Sequence, residues 1–197
     1  VNEHHLLPSP QAGGLLKTFY FPGFTKQTGG LLREQNLLTH RDQFWREQPQ
    51  YWSELTGFPH ELNALKISLF GYEYMPLDAW LPLLVQNQQP VQLAVTYGKA
   101  SEAVKQAWMQ LGFATSESTE EWSEGKLNVR FLPMLSQQQY DYLLWSADFN
   151  AVRGEDSLVR AIWAGKPFVW DIYKQEDDVH WDKLKAFCQV YTDLMDD

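Results

Sequence analysis

FNAVRGEDSLVRAIWAGKPFVWDIY, residues 149 to 173, carries two periodicities with a turn between them. FNAVR (149–153) is a short β-type run. EDSLVRAIWAG (155–165) spaces its apolar residues as a helix does and stops on Gly165. PFVWDIY (167–173) then returns to branched and aromatic residues of strand type. Strand, helix and strand in one short stretch form the repeating unit of a parallel sheet, because parallel neighbours need a crossover between them.

The same alternation extends outward. Upstream, LKISLFGY (65–72), PVQLAVTY (90–97) and KLNVRFLP (126–133) read as strands. LDAWLPLLVQN (77–87), SEAVKQAWMQLG (101–112, closed by Gly112) and SQQQYDYLLWSA (136–147, with Ser136 as N-cap) read as helices. Downstream, 178–195 is a long amphipathic helix. Five rounds predict an α/β protein built on a parallel sheet with right-handed crossovers. Earlier segments are less regular. Residues 1–15, with LPSP and a Gly pair, read as loop, and KTFYF (17–21) as a strand ended by Pro22-Gly23. TKQTGG (25–30) reads as loop, and 36–57 as two short helices divided by Pro49. SESTEEWSEG (116–125) reads as a polar, acidic surface loop.

Bulk properties narrow the function. The chain has 197 residues and is 44% hydrophobic, enough for a proper core. A net charge of −9 disfavours nucleic acid as a partner. The single cysteine, Cys188, excludes an internal disulfide framework and points to a reducing compartment, the cytoplasm. Apolar runs such as LDAWLPLLV are too short to span a membrane. The first residue is Val1 rather than methionine, which reads as a piece of a longer protein. Nine tryptophans and 15% aromatics fill a core or line a pocket for a planar ring.

In open α/β sheets ligands bind beyond the carboxyl ends of the strands, beside helix N-termini. The joints at 70–77, 97–101, 133–137 and 152–157 therefore matter, and the last is the richest. Arg153 offers a positive fork suited to phosphate, and Gly154 permits a tight turn. The amides of Glu155, Asp156 and Ser157 face out of the helix start, and the Ser157 hydroxyl adds a donor. This is a cradle for a diphosphate, with the carboxylates turned to sugar hydroxyls. From spacing alone a second reading stands beside it: Glu155 and Asp156 complement the helix dipole, and Arg153 pairs with them. At 70–74, Phe70, Tyr72 and Tyr74 follow a strand, where rings can stack on a base or sugar or pack as core and surface. Gln137 and Tyr140 open the helix after 133.

Other signals fail. YGK (97–99) lacks the Walker pattern, the dinucleotide glycine fingerprint is missing, and no G-x-S-x-G elbow occurs. His4-His5 has no companion ligands nearby, so no metal site is expected. His40, His60 and His180 read as surface residues, and Asp177-Asp178 as a cap for the last helix.

VRGEDSLVRAIWAGKPFVWDIYKQEDD (152–178) closely resembles the signature of the EarP family, the elongation factor P arginine rhamnosyltransferases of bacteria. LPSP, FYFPGFTKQTGGLLRE (19–34), ISLFGYE (67–73) and FLPMLSQQQYDYLLWSADFNAVRGEDS (131–157) resemble it too, so the likeness covers nearly the whole chain. One departure is Asp171, where the family's motif often carries His.

The resemblance implies a Rossmann-like parallel-sheet domain, the C-terminal half of a GT-B glycosyltransferase that binds dTDP-β-L-rhamnose. It places 1–60 as a segment leading in from a missing N-terminal domain and 61–197 as the nucleotide-sugar-binding domain. The general base, an aspartate, and the last helix returning to the other domain are expected outside this chain. By this likeness Phe70 and Tyr72 belong to the donor pocket, Gln137 and Tyr140 lie beside the thymine base, and Arg153, Asp156 and Ser157 hold the diphosphate and its sugar. Glu155 is a carboxylate needed for activity. The implied reaction moves L-rhamnose onto an arginine of elongation factor P with inversion and uses no cofactor beyond the donor. Two alternatives are a non-catalytic α/β module for a phosphorylated metabolite and another GT-B nucleotide-sugar enzyme.

Overall fold

The computed structural model describes residues 4–8, 16–175 and 177–193. They divide into two compact units, Asn36–Glu176 and, separately, Val1–Gln35 with Asp177–Asp197.

The smaller unit contains an antiparallel pair, β1 (His4–Pro8) and β2 (Leu16–Tyr20), in which His4 faces Tyr20 and Pro8 faces Leu16. The sequence reads 1–15 as loop. Residues 4–8 instead form a strand because β2 supplies ladder partners that no local signal announces, while 9–15 lie outside the described residues. The last helix of the chain, Val179–Asp193, also belongs here, with residues 194–195 of its expected span outside the described residues. Its Phe187 meets Phe24 edge to face at 5.5 Å. His180, expected at the surface, is only 5% exposed beside the Trp181 ring.

The larger unit starts with α1 (Leu37–Glu47) and α2 (Tyr51–Thr56), separated at Pro49 as expected. It continues as β3 (Leu65–Leu69), α3 (Leu77–Val85), β4 (Val91–Val95), α4 (Lys99–Gln110), β5 (Glu121–Glu124), β6 (Leu127–Phe131), α5 (Gln137–Ser146), β7 (Phe149–Arg153), α6 (Gly154–Ala164) and β8 (Phe168–Asp171), with the terminal helix as α7. One six-stranded sheet runs in the order β5-β6-β4-β3-β7-β8. All neighbours are parallel except the edge pair β5–β6. From β3 the sheet grows first through β4 and β6, then on the other side through β7 and β8, the doubly wound order of a Rossmann-like domain. The chain is thus mixed α/β, as the alternation predicts.

Strand β4 shows how the sheet is covered on both faces. Every one of its residues is buried. Val91, Leu93 and Val95 enter a core with Leu77, Leu81, Val104, Trp108 and Trp122. Ala94 packs with Trp52, Phe58, Leu132 and Leu143. Alternation along the strand sends these two sets to opposite sides. Gln92, on the Ala94 side, is 2% exposed and bonded at both its side-chain oxygen and nitrogen: it accepts from the Trp52 indole at 2.7 Å and donates to the Pro59 carbonyl at 3.0 Å. Residues 36–60 pack on the sheet through these contacts, so the compact unit begins at Asn36, whereas the sequence reading placed a boundary at 60.

The acidic stretch 116–125 is only partly a loop. Residues 121–124 form β5, and Trp122 is 8% exposed, its indole donating to Ser118 at 3.0 Å. A single apolar residue among acids hides a strand that pairs with β6 and buries one ring. Ser136 caps α5 with a reciprocal capping box through Gln139. Among the described residues no helix is long and apolar enough to cross a membrane.

Candidate functional site

The sheet order reverses between β3 and β7; β3 ends in a loop, and β7 runs directly into α6. Phe70 still pairs with the sheet, its amide donating to Ala151 at 2.8 Å, and Gly71 and Tyr72 follow it. On β7 the chain passes through Arg153 into α6 at Gly154, whose φ of +67° is a left-handed conformation that disfavours a side chain. The side chain of Arg153, the N-cap residue, makes no capping bond to α6. The Trp170 indole on β8 donates to the Gly154 carbonyl at 3.0 Å and pins the turn from the neighbouring strand. A cleft of about 320 Å³ opens here, lined by Phe70, Tyr72, Arg153, Gly154, Glu155, Asp156 and Ser157.

Arg153 defines the chemistry. Its guanidinium lies 4.4 Å from the Phe70 ring centroid and 4.8 Å from that of Tyr72. One N–H reaches the Gly71 carbonyl at 3.4 Å. Among the described residues no carboxylate forms a salt bridge with it. Rings attract the cation without neutralising it, so the charge stays directed at the cleft. That departs from the second reading of the turn, in which the neighbouring acids tie up the arginine. It also limits the stacking expected of Phe70 and Tyr72, because the guanidinium already occupies a face of each ring.

The aromatic group extends beyond the cleft. Tyr72 stacks on Tyr74 at 5.2 Å and meets Tyr173 edge to face at 5.6 Å. Burial raises the Tyr72 hydroxyl's pKa, against the opposing pull of Arg153. Tyr140 on α5 meets Phe70 edge to face at 5.6 Å. Its hydroxyl is buried with no hydrogen bond of standard geometry, and burial raises its pKa, tempered by Ser157. Ser157 is itself 9% exposed, at the floor of the helix start. Gln137 sits one turn before Tyr140, exposed, with its amide nitrogen 3.5 Å from Asp141.

Six of the eight residues singled out in the sequence therefore line one cleft: Phe70, Tyr72, Arg153, Glu155, Asp156 and Ser157. Tyr140 touches its wall, and Gln137 stands outside the lining. Two supports are missing from the sequence reading. Asp141, 8% exposed within α5, accepts from Arg160 of α6 at 3.2 Å and ties the two helices together. Asp171, at the end of β8, accepts from the Tyr72 amide at 2.7 Å. Burial raises the Asp171 pKa, opposed by that amide, Lys174 and Arg153. A carboxylate on an apolar helical face is the signal for Asp141. For Asp171 the signal is its departure from the family motif. Lys99, after β4, pairs with Glu73 at 2.9 Å and lowers the Glu73 pKa. Among the described residues no three His, Cys, Asp or Glu side chains gather as a metal site.

The profile of the EarP family, described as elongation factor P (EF-P) rhamnosyltransferase, matches residues 1–197. A protein-arginine rhamnosyltransferase of Pseudomonas putida is 48% identical over 97% of this chain, which covers 50% of that protein. Its counterpart in Pseudomonas aeruginosa is 44% identical over 97% of this chain, again 50% of that protein. The one in Shewanella oneidensis is 39% identical over 98% of this chain and likewise 50% of that protein. A solved structure described as the structural basis for EarP-mediated arginine glycosylation of translation elongation factor EF-P superposes with a TM-score of 0.74 at 42% identity. That match covers 88% of this chain and 54% of the solved one. The chain thus spans about half the length of the curated relatives it matches.

Proposed function

The chain belongs to the EarP family of elongation factor P rhamnosyltransferases, and from that premise we propose that it is the donor-binding half of an inverting protein-arginine rhamnosyltransferase. It is the C-terminal half of a GT-B enzyme, and it binds dTDP-β-L-rhamnose in the cleft at the sheet reversal. The acceptor is an arginine of elongation factor P. The observation that carries this reading is Arg153: a half-buried guanidinium, held against two rings and with no salt bridge among the described residues, facing a helix start at the switch point of the sheet.

In the reaction, the bond between the sugar's anomeric carbon and the β-phosphate oxygen breaks as a guanidino nitrogen attacks from the opposite face. Negative charge grows on the departing diphosphate. Arg153 and the first amides of α6 stabilise that charge more strongly as it develops than in the bound donor, which lowers the barrier. The Ser157 hydroxyl at the same helix start donates to the phosphate, and Asp156 and Glu155, exposed at the lip, accept from sugar hydroxyls. Phe70 and Tyr72 keep water from the back of the guanidinium. Arginine stays protonated at neutral pH and is a poor nucleophile. A base must therefore take its proton, and that base is expected in the N-terminal half of the enzyme.

The full-length enzyme incubated with dTDP-rhamnose and elongation factor P should add one deoxyhexose mass to the acceptor, read by intact-protein mass spectrometry. This 197-residue chain alone should bind dTDP and transfer nothing. Turnover by the chain alone would refute the assignment of the base to the other half, and failure to bind dTDP would refute the donor site.

A further inference from the structure

We propose that Asp171 is a positioning residue of this cleft: its carboxylate fixes the Gly71–Tyr72 peptide, and through it the rings that hold the Arg153 guanidinium. The inference deepens the reading of the cleft as a diphosphate site and rests on it for affinity, though not for the geometry of the unliganded protein.

Strand β8 does not touch β3, because β7 lies between them. Asp171 is the register partner of Arg153 on β7, yet its Oδ2 reaches the Tyr72 amide beyond the end of β3. The side chain therefore bridges past the strand that carries the arginine. At 2.7 Å this is a short, charge-assisted bond from the Tyr72 amide to a half-buried acceptor. The Tyr72 amide lies beyond the last β3 residue and has no ladder partner of its own. Asp171 supplies the one it has. The residues after Asp171 extend the tie. The Tyr74 hydroxyl donates to the Ile172 carbonyl at 3.3 Å and accepts from the Lys174 amide at 3.0 Å. The Lys174 ammonium lies 4.5 Å from the Tyr74 ring centroid, and the Tyr173 ring meets Tyr72. The 171–174 segment thus holds the 72–74 turn, with Asp171 as the contact nearest the cleft.

Asp171 makes no salt bridge with Arg153 among the described residues, so it leaves to a ligand the guanidinium N–H groups that the Gly71 carbonyl does not take. Its charge nevertheless opposes an incoming anion. Position and charge act in opposite directions, and substitutions separate them. Asp171→Asn keeps an acceptor oxygen and removes the charge. Asp171→Ala removes both.

Two measurements on the purified protein test this. The first, without ligand, follows the Arg153 side-chain protons by NMR. Rings 4.4 and 4.8 Å away shift them upfield, and that shift should persist in Asp171→Asn and collapse in Asp171→Ala. The second is calorimetric titration with dTDP and with inorganic pyrophosphate. Asp171→Ala should bind both about five- to tenfold more weakly, as expected for an orphaned amide that loosens the site. Asp171→Asn should bind at least as tightly as the parent, by up to about fivefold, since a nearby like charge is gone. Asp171→Ser, too short to reach the amide, replaces the alanine variant if that one does not fold. An upfield shift retained in the Ala or Ser variant overturns the positioning role whatever the affinities. If the parent binds neither dTDP nor pyrophosphate, the diphosphate reading falls, while the NMR comparison still decides whether Asp171 positions the rings.

Discussion

Replacing Arg153 is the sharpest test of the cleft. The residue is half-buried, its rings supply attraction without neutralisation, and it forms no salt bridge among the described residues. A hydrogen bond to a charged group contributes about 1.5–3 kcal/mol. At about 1.4 kcal/mol per decade, Arg153→Ala should weaken dTDP by roughly 10- to 150-fold. Arg153→Lys keeps the charge but loses the flat fork and part of the ring contact, so it should fall between parent and alanine. Calorimetry with dTDP and with thymidine separates the causes. Thymidine carries no phosphate, so its affinity should change little in either variant. The dependence of dTDP binding on salt should flatten in Arg153→Ala, because a screened attraction has been removed. Equal losses for thymidine and dTDP would mean that the variant disturbs the pocket as a whole. An unchanged dTDP affinity in Arg153→Ala would refute the charge-based reasoning outright.

Asn150 is fully buried in β7, accepts from the Ser68 hydroxyl of β3 and donates to the Leu144 carbonyl at 3.0 Å; Asn150→Ala should cost at least about 2 kcal/mol in urea unfolding, and Ser68→Ala combined with it should cost less than the sum of the two. Asp171 carries a pKa raised by burial, so the folded state holds its proton more readily than the unfolded chain. Its contribution to stability is full below the ordinary carboxylate range and declines as pH rises through the raised value; unfolding followed from about pH 3 to about pH 7 should show the parent losing stability relative to Asp171→Asn over that window, and a constant difference would refute the shift.

Much of the fold could be read directly because the larger unit alternates cleanly. Residues 149–153 and Ser136 occupy the roles their local chemistry assigns, since a strand buried on two faces and a capped helix each have strong one-dimensional signatures. Strand β5 was hidden because its one buried ring, Trp122, stands alone among acids and serines that read as polar surface. β1 was hidden because its pairing partner lies beyond a Pro- and Gly-rich stretch. The core that residues 36–60 join was not legible, because short helices carry no mark of it; Trp52 finds Gln92 forty positions away. In the cleft, Arg153, Gly154 and Ser157 were visible as a strand-to-helix turn. The hold on Arg153 was not, because Phe70 and Tyr72 follow a strand that is adjacent in space but distant in sequence. Asp171 and Asp141 escaped for the same reason: a carboxylate's role depends on the amide or guanidinium it meets, and neither partner is near in the chain.

A cation laid against two aromatic faces has lost water from those faces before any anion arrives. The penalty for stripping that hydration falls on folding, when Phe70 and Tyr72 come to rest against the guanidinium, rather than on capture of the donor. The edge N–H groups other than the one turned to the Gly71 carbonyl are the groups a phosphate would meet. Capture should therefore be quick and need little rearrangement. Any substitution that moves the rings away should first show as slower association, because the guanidinium would regain its hydration shell and have to shed it at every encounter.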